Sequence, residues 1–372
     1  MAAHSPVGIG IVGAGNISDE YLTNLRKFPD ICLVIVGDLD IARAEAQARK
    51  YGVGEWGTTQ DVLTHSDVDI VVNLTIPAAH AEISSAAVVA GKHVWSEKPI
   101  AIDRSSARTL LDEAAAAGLR VGVAPDTVLG PGVQTARRAI VRGDIGTPLS
   151  AQTVMQSAGP DAWHPSPEFL FAQGAGPLFD MGPYYITALV SLFGSVVRVS
   201  AVGSTGRAVR TIKTGDRAGT EFAVGVPTHV SALAQFDNGG VSQSIFSFDS
   251  PLTRTGVVEI TGTEGTLILP DPNYFAGDVK ITRAPSSDGE AEWETVKPVG
   301  IEAGRGLGVL DMARAIRGQQ PHIATGDLGY HVLDTLMSID ESVASGETVH
   351  VGSRVDAILL VPEGRDPYEA TL

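Results

Sequence analysis

Gly13-Ala14-Gly15-Asn16-Ile17-Ser18 joins the apolar run Val7–Val12 to a segment with helical spacing at Tyr21, Leu22 and Leu25. A first glycine permits a tight turn. A second lets a ligand approach the backbone, and the helix start then offers N–H groups and partial positive charge to a pyrophosphate. Ser18, small enough for close helix–strand packing, stands where a third glycine is usual. The next apolar run ends at Asp38, whose carboxylate suits the hydroxyls of an adenosine ribose and repels a 2′-phosphate. The pattern therefore favours NAD over NADP, although Arg43 leaves some room for the extra phosphate.

Lys98 follows the short run His93-Val94-Trp95-Ser96. That is the carboxyl end of an expected strand, where open α/β sheets bind ligands. An ammonium there can hydrogen-bond a substrate hydroxyl and stabilise charge as its proton leaves. Glu97 can orient it or form a structural ion pair. Asp180 and Tyr184, at i and i+4, share a helix face. His164 and Trp163 lie in the proline-rich segment Ala162-Trp163-His164-Pro165-Ser166-Pro167: an imidazole suited to proton transfer and an indole suited to stacking on a sugar. Asp126, after the run Val121–Val123, offers a carboxylate to hydroxyl groups or caps a turn.

The elements that must hold these groups alternate through about residue 125. Apolar runs at 7–12, 31–36, 68–74, 93–95 and 119–123 interleave with helix-like segments at 18–27, 41–50, 78–90 and 105–117. Continuous β-branched runs are buried on both faces, so the expectation is α/β: a doubly wound parallel Rossmann sheet over 1–125. Beyond it, strands at 149–156, 196–206, 228–236, 240–248, 256–261, 265–269, 278–283 and 292–297 read as a mostly antiparallel sheet. Turn signals at Asp237-Asn238-Gly239-Gly240 and Gly262-Thr263-Glu264-Gly265 support hairpins, and helices are expected near 306–317 and 328–344. Residues 126–372 thus read as an α+β second domain.

Composition sets outer limits. The 372 residues carry 27 Lys+Arg against 43 Asp+Glu, a formal charge of −16, which argues against nucleic-acid or anionic-membrane partners. Hydrophobic residues make up 44% and charged residues 19%, as in a globular protein rather than a disordered one. The single Cys32 excludes an internal disulfide and reads as a buried core residue in Ile31–Val36. No metal-ligand motif is present, so no metal is expected, and His4, His65, His229, His322, His331 and His350 read as ordinary residues. The start lacks the features of a signal peptide, and no apolar run approaches the roughly 20 residues of a membrane helix. The expected location is cytoplasmic.

Thr75-Ile76-Pro77-Ala78-Ala79-His80, followed by Ala90-Gly91-Lys92-His93-Val94-Trp95-Ser96-Glu97-Lys98-Pro99, resembles the Gfo/Idh/MocA oxidoreductase family. Glu97-Lys98-Pro99 is the most specific part, and the similarity runs over nearly the whole chain. The resemblance implies NAD(P)-dependent redox chemistry on sugars, inositols or related polyols. It also implies that the sheet of 126–372 is open-faced, and that this domain binds substrate and forms a homo-oligomer (dimer or tetramer) across that sheet. It places Thr75 and Ile76 by the nicotinamide and Pro77 and His80 around the crossing helix, with Glu97 and Lys98 beside them. Residues 174–185 resemble the family's Asp-x-Gly-x-His segment, but Tyr184 stands at the position of the histidine that commonly acts as base.

A free phenol ionises at about pH 10, so a base role for Tyr184 requires a neighbouring cation, with Lys98 the expected one. His164 is the rival base. Asp180 and Asp126, with Trp163, are then expected to hold a neutral polyol or sugar. Two other readings stay open: an enzyme that keeps NAD and recycles it within a turnover, as some sugar oxidoreductases and NAD-dependent glycosidases do, and a non-catalytic NAD-binding regulator.

Overall fold

The computed structural model describes residues 5–283 and 292–372, so His4 and the first residues of the amino terminus lie outside it. The chain forms two compact units. The first comprises residues 1–131, 300–333 and 359–372; the second comprises 132–299 and 334–358. The linear division at 125/126 lacks these two returns to the first unit.

In the first unit, strands β1 (Val7–Val12), β2 (Ile31–Gly37), β3 (Glu55–Gly57), β4 (Ile70–Asn73), β5 (His93–Ser96) and β6 (Val121–Val123) form one sheet in the order β3-β2-β1-β4-β5-β6. All pairs are parallel. The order reverses between β1 and β4, and the crevice at the carboxyl ends of those strands is where such sheets take ligands. Helices α1 (Asn16–Leu25), α2 (Ile41–Tyr51), α3 (Thr59–Thr64), α4 (His80–Val89) and α5 (Arg104–Ala116) make the crossovers.

Every residue of β1 and β4 is buried, as their unbroken apolar runs require. Cys32 departs from expectation and is exposed. The edge strand β3 pairs only with Ile35–Gly37 and leaves the first half of β2 without an outer neighbour. The returning segment 300–333 completes this core through Val309, Leu310 and Met312, which cluster with Tyr21, Leu25 and Trp95. The backbone at Gly308 passes so near Trp95 that a Cβ there would lie 1.9 Å from the ring.

The second unit opens with α6 (Pro131–Arg142) and carries the long helix α7 (Gly176–Phe193). Its strands are β7 (Pro148–Gln156), β8 (Val196–Ser204), β9 (Val209–Thr211), β10 (Glu221–Ala223), β11 (His229–Phe236), β12 (Val241–Ser247), β13 (Arg254–Gly262), β14 (Gly265–Leu269), β15 (Val279–Arg283), β16 (Glu294–Val296) and β17 (Val349–His350). Nine of them make one sheet in the order β16-β15-β14-β13-β7-β12-β11-β8-β17; β9 and β10 form a separate ribbon. Only β7 and β12 pair in parallel within the large sheet. The two glycine-bearing turns close the β11–β12 and β13–β14 hairpins, as expected. Helices α8 (Leu307–Gly318) and α9 (Gly326–Ser345) follow. Among the described residues, no helix is long and apolar enough to cross a membrane, and no group of three or more His, Cys, Asp or Glu could hold a metal ion.

Candidate nucleotide and catalytic site

The glycine turn has the geometry its sequence demands. Gly13 has φ +103°, and a Cβ there would lie 2.7 Å from the Leu74 carbonyl. Both facts require glycine. Gly15 differs: its φ of −80° is open to any residue, and a Cβ would meet nothing within 4 Å. Protein atoms do not explain that glycine, whereas a pyrophosphate laid against the backbone would. Gly15 also heads α1 without a side-chain cap, so the first amides of Asn16 and Ile17 remain available to an anion. Ser18 is fully buried and donates to the Gly15 carbonyl at 2.6 Å, filling the packing position of a third glycine.

Asp38 lies at the carboxyl end of β2, with 8% of its surface exposed. One carboxylate oxygen accepts the Ala14 amide at 2.7 Å and the other accepts the Asp40 amide at 2.8 Å. Each oxygen keeps a lone pair for a ribose hydroxyl. The rival role of helix cap belongs to Asp40, which accepts from Ala42 and Arg43. Arg43 Nη1 stands 3.9 Å from Asp38, largely in solvent. The turn and this acid thus fit a dinucleotide.

Beyond β4, Ile76 is 69% exposed and Pro77 is exposed, a short apolar shelf. Buried Asn73, which the sequence reading did not single out, holds that shelf. Its Oδ1 accepts from the Thr75 hydroxyl at 2.6 Å and from the Thr75 amide, and its Nδ2 donates to the His80 carbonyl and Ser84 Oγ. An asparagine ending an otherwise apolar strand was the available signal.

His80 and Glu97, expected near the cofactor, bond to protein atoms of the neighbouring loops and turns. His80 is 1% exposed, with Nδ1 2.6 Å from the Pro99 carbonyl and Nε2 3.0 Å from that of Thr75. Burial pushes its pKa down. Glu97 turns inward: Oε1 accepts from the Tyr21 hydroxyl, which accepts from Trp95 Nε1, and Oε2 accepts the Lys98 amide at 3.1 Å. Burial, then the Glu97 charge, raises the Tyr21 phenol well above its ordinary range. Lys98, half-buried, follows at the end of β5, joined to Pro99 by a cis peptide.

Of the two roles read for Asp126, hydroxyl binding or capping, the structure shows capping. Its side chain is completely buried, and Oδ2 accepts the Gly306 and Gly308 amides at 2.8 and 3.0 Å, capping the start of α8. The hydroxyl-binding role read for it has no exposed atom to act through.

In the second unit, α7 carries Asp180, half-buried, and Tyr184, 6% exposed, one turn apart. Adjacent Tyr185 is fully buried and accepts the Gly256 amide at 2.8 Å, a packing role. Trp163, His164 and Phe169 form an edge-to-face row with centroids 5.6 and 5.4 Å apart; Trp163 is 68% and Phe169 56% exposed. His164 Nδ1 accepts the Ser166 amide at 3.0 Å. The neutral ring therefore carries its proton on Nε2 and offers a donor, not a base, at that nitrogen.

The family model described as an oxidoreductase family with an NAD-binding Rossmann fold matches residues 7–124, and the GFO/IDH/MocA C-terminal domain model matches 133–268. A trans-1,2-dihydrobenzene-1,2-diol dehydrogenase of Bos taurus is 27% identical over 71% of this chain and 74% of its own. The 1,5-anhydro-D-fructose reductase of Ensifer adhaerens is 26% identical over 92% of this chain and 98% of its own. Levoglucosan dehydrogenase, solved with NADH and L-sorbose, superposes with a TM-score of 0.82 at 22% identity, covering 93% of this chain and 99% of that one. At that identity the likeness establishes the fold.

Proposed function

The chain belongs to the GFO/IDH/MocA oxidoreductase family, and from that premise we propose that it moves a hydride between NAD(H) and a ring-borne carbinol or ketone of a sugar, glycoside or cyclitol. The carrying observation is the pairing of an uncapped α1 start, with its sterically unexplained Gly15, and the inward-held carboxylate of Asp38. Bound NAD(H) supplies the hydride donor or acceptor at the nicotinamide.

The residues of the chain do the rest. Amides of the glycine turn hold the pyrophosphate, and Asp38 receives the ribose hydroxyls and disfavours a 2′-phosphate. Ile76 and Pro77 give the ring an apolar shelf. The ammonium of Lys98 donates a hydrogen bond to the carbinol oxygen and stabilises the charge left there when a base, which we assign to Tyr184, takes the proton. Asp180 supplies a carboxylate for a neighbouring substrate hydroxyl, and His164, protonated on Nε2, donates to another. The relatives' names include a ring diol, an anhydrosugar and an anhydroketose, which supports neutral ring substrates for this chain.

The reading extends to assembly. On β8, β11 and β12 the outer sheet face exposes Val202, Leu233 and Val241 among Arg198, Gln235 and Gln243, a mixed surface suited to a homodimer or tetramer. The proposed compartment is the cytoplasm.

Fluorescence titration with NADH and NADPH, then a panel of monosaccharides, anhydrosugars and inositols, tests the proposal. NADH is expected to bind at least tenfold tighter, and Lys98→Met to lower turnover by about a thousandfold with NADH affinity unchanged. No binding of either dinucleotide, or an active Lys98→Met variant, overturns it.

A further inference from the structure

Arg210, on the short strand β9, is a buried cation of the second unit with several partners. Its side chain is 1% exposed. Nη1 donates to the Ala158 carbonyl at 2.9 Å and to Asp161 Oδ1 at 2.5 Å; Nη2 donates to the Phe248 carbonyl at 2.5 Å and Asp249 Oδ1 at 2.6 Å. The guanidinium also lies over the Phe171 ring, 4.9 Å from its centroid. A planar fork that reaches four acceptors and one aromatic face is work a lysine cannot do.

The partners divide into two sets. Phe248 and Asp249 follow β12 and belong to the sheet, and Asp249 is itself held there by the Thr228 hydroxyl and the Gly206 amide. Ala158 and Asp161 stand at the start of the excursion between β7 and α7, and Phe171 near its far side. Arg210 thus ties both feet of the segment 158–171 to one point. Between the feet lies the row Trp163, His164 and Phe169, whose exposure contrasts with the burial of the clamp. Such a compact loop, closed at its base by packed side chains, can hold side chains at its tip in fixed register.

We propose that Arg210 is a positioning residue: by clamping the base of the 158–171 loop it fixes the aromatic and imidazole row in one ligand-ready arrangement, and the row receives the apolar face of a neutral ring substrate. The second clause rests on the proposed function; the first does not.

The experiment compares wild type with Arg210→Lys and, should that variant not fold, Asp161→Asn, which keeps the shape and removes the charge. Amide exchange of 158–171 is expected to accelerate at least tenfold while β11 and β12 keep their protection, and the substrate KM to rise at least tenfold with NADH affinity within twofold. Unchanged exchange in the loop overturns the clamp. A substrate KM within twofold of wild type, or a parallel loss of NADH affinity, overturns the claim of substrate positioning. Trp163→Leu and His164→Asn separate the two ideas: if neither changes KM, the loop does not face substrate and that reading falls, whatever the exchange data say of the clamp.

Discussion

The ring of His80 stands between two carbonyl oxygens, with Nδ1 2.6 Å from Pro99 and Nε2 3.0 Å from Thr75. Its one N–H ties the start of α4 to the turn that carries Lys98. A neutral imidazole owns one N–H, and the shorter contact assigns it to Pro99. Replacing His80 with Gln should lower turnover at least fivefold, because the Lys98 turn loses its tie, while NADH affinity changes less than threefold. Burial depresses the folded pKa, so the stability conferred by the neutral ring is complete above the unfolded value of 6.5 and is lost as pH falls below it. The difference in Tm between wild type and His80→Gln should therefore shrink from pH 7.5 to 5.5. A constant difference would show that the ring does not titrate in this way.

On the proposed reading, Asp38 sets the choice between NAD and NADP. Its carboxylate oxygens hold the Ala14 and Asp40 amides, so the acid both sets the turn and presents its charge. Asp38→Ser should weaken NADH binding at least tenfold and bring the ratio of NADH to NADPH affinity close to one, with Arg43 nearby to meet a phosphate. Titration of both dinucleotides decides it. Retention of the wild-type ratio would remove Asp38 from the account.

Tyr184 and His164 compete for the role of base, and geometry separates them. Ser166 donates to His164 Nδ1, so the neutral ring has no lone pair at Nε2 with which to take a proton. Loss of His164 as Asn should raise the substrate KM more than it lowers kcat. Loss of the phenol as Tyr184→Phe should lower kcat about a hundredfold or more. The reverse pattern in steady-state kinetics would return the base role to His164.

Five of the six strands of the parallel sheet were legible because they are apolar runs, and its turn because it must be glycine; the edge strand β3, Glu55-Trp56-Gly57, is short and largely exposed and gave no such run. Less visible were features whose cause lies far along the chain. Helix α6 begins Pro131-Gly132, after a stretch that offers turn residues rather than a helical face. The β9–β10 ribbon is three residues on three, too short for a periodicity to register. The return of 300–333 depends on the contact between Gly308 and Trp95 and on Asp126 meeting amides 180 and 182 residues away. The family resemblance put His80 and Glu97 near the cofactor, yet only tertiary packing decides that their polar atoms bond inward.

Asp126 offers a stability test with a defined sign. Burial pushes its pKa up to about 6, opposed by the Gly308 and Gly306 amides, and its Oδ1 has no hydrogen-bond partner. Between the unfolded value of 3.8 and about 6 the folded chain binds a proton that the unfolded chain releases. Stability from this group is thus complete below 3.8, falls as pH rises to about 6, and stays low above it. The displacement corresponds to about 3 kcal/mol at most. Asp126→Asn keeps an acceptor for the α8 amides without the charge, so it should melt above wild type at pH 8 and lose that advantage as pH approaches 4. Thermal denaturation across that range checks it: a wild type more stable than Asp126→Asn at pH 8 would mean that the carboxylate is welcome at the helix start and that the α8 amides outweigh its burial.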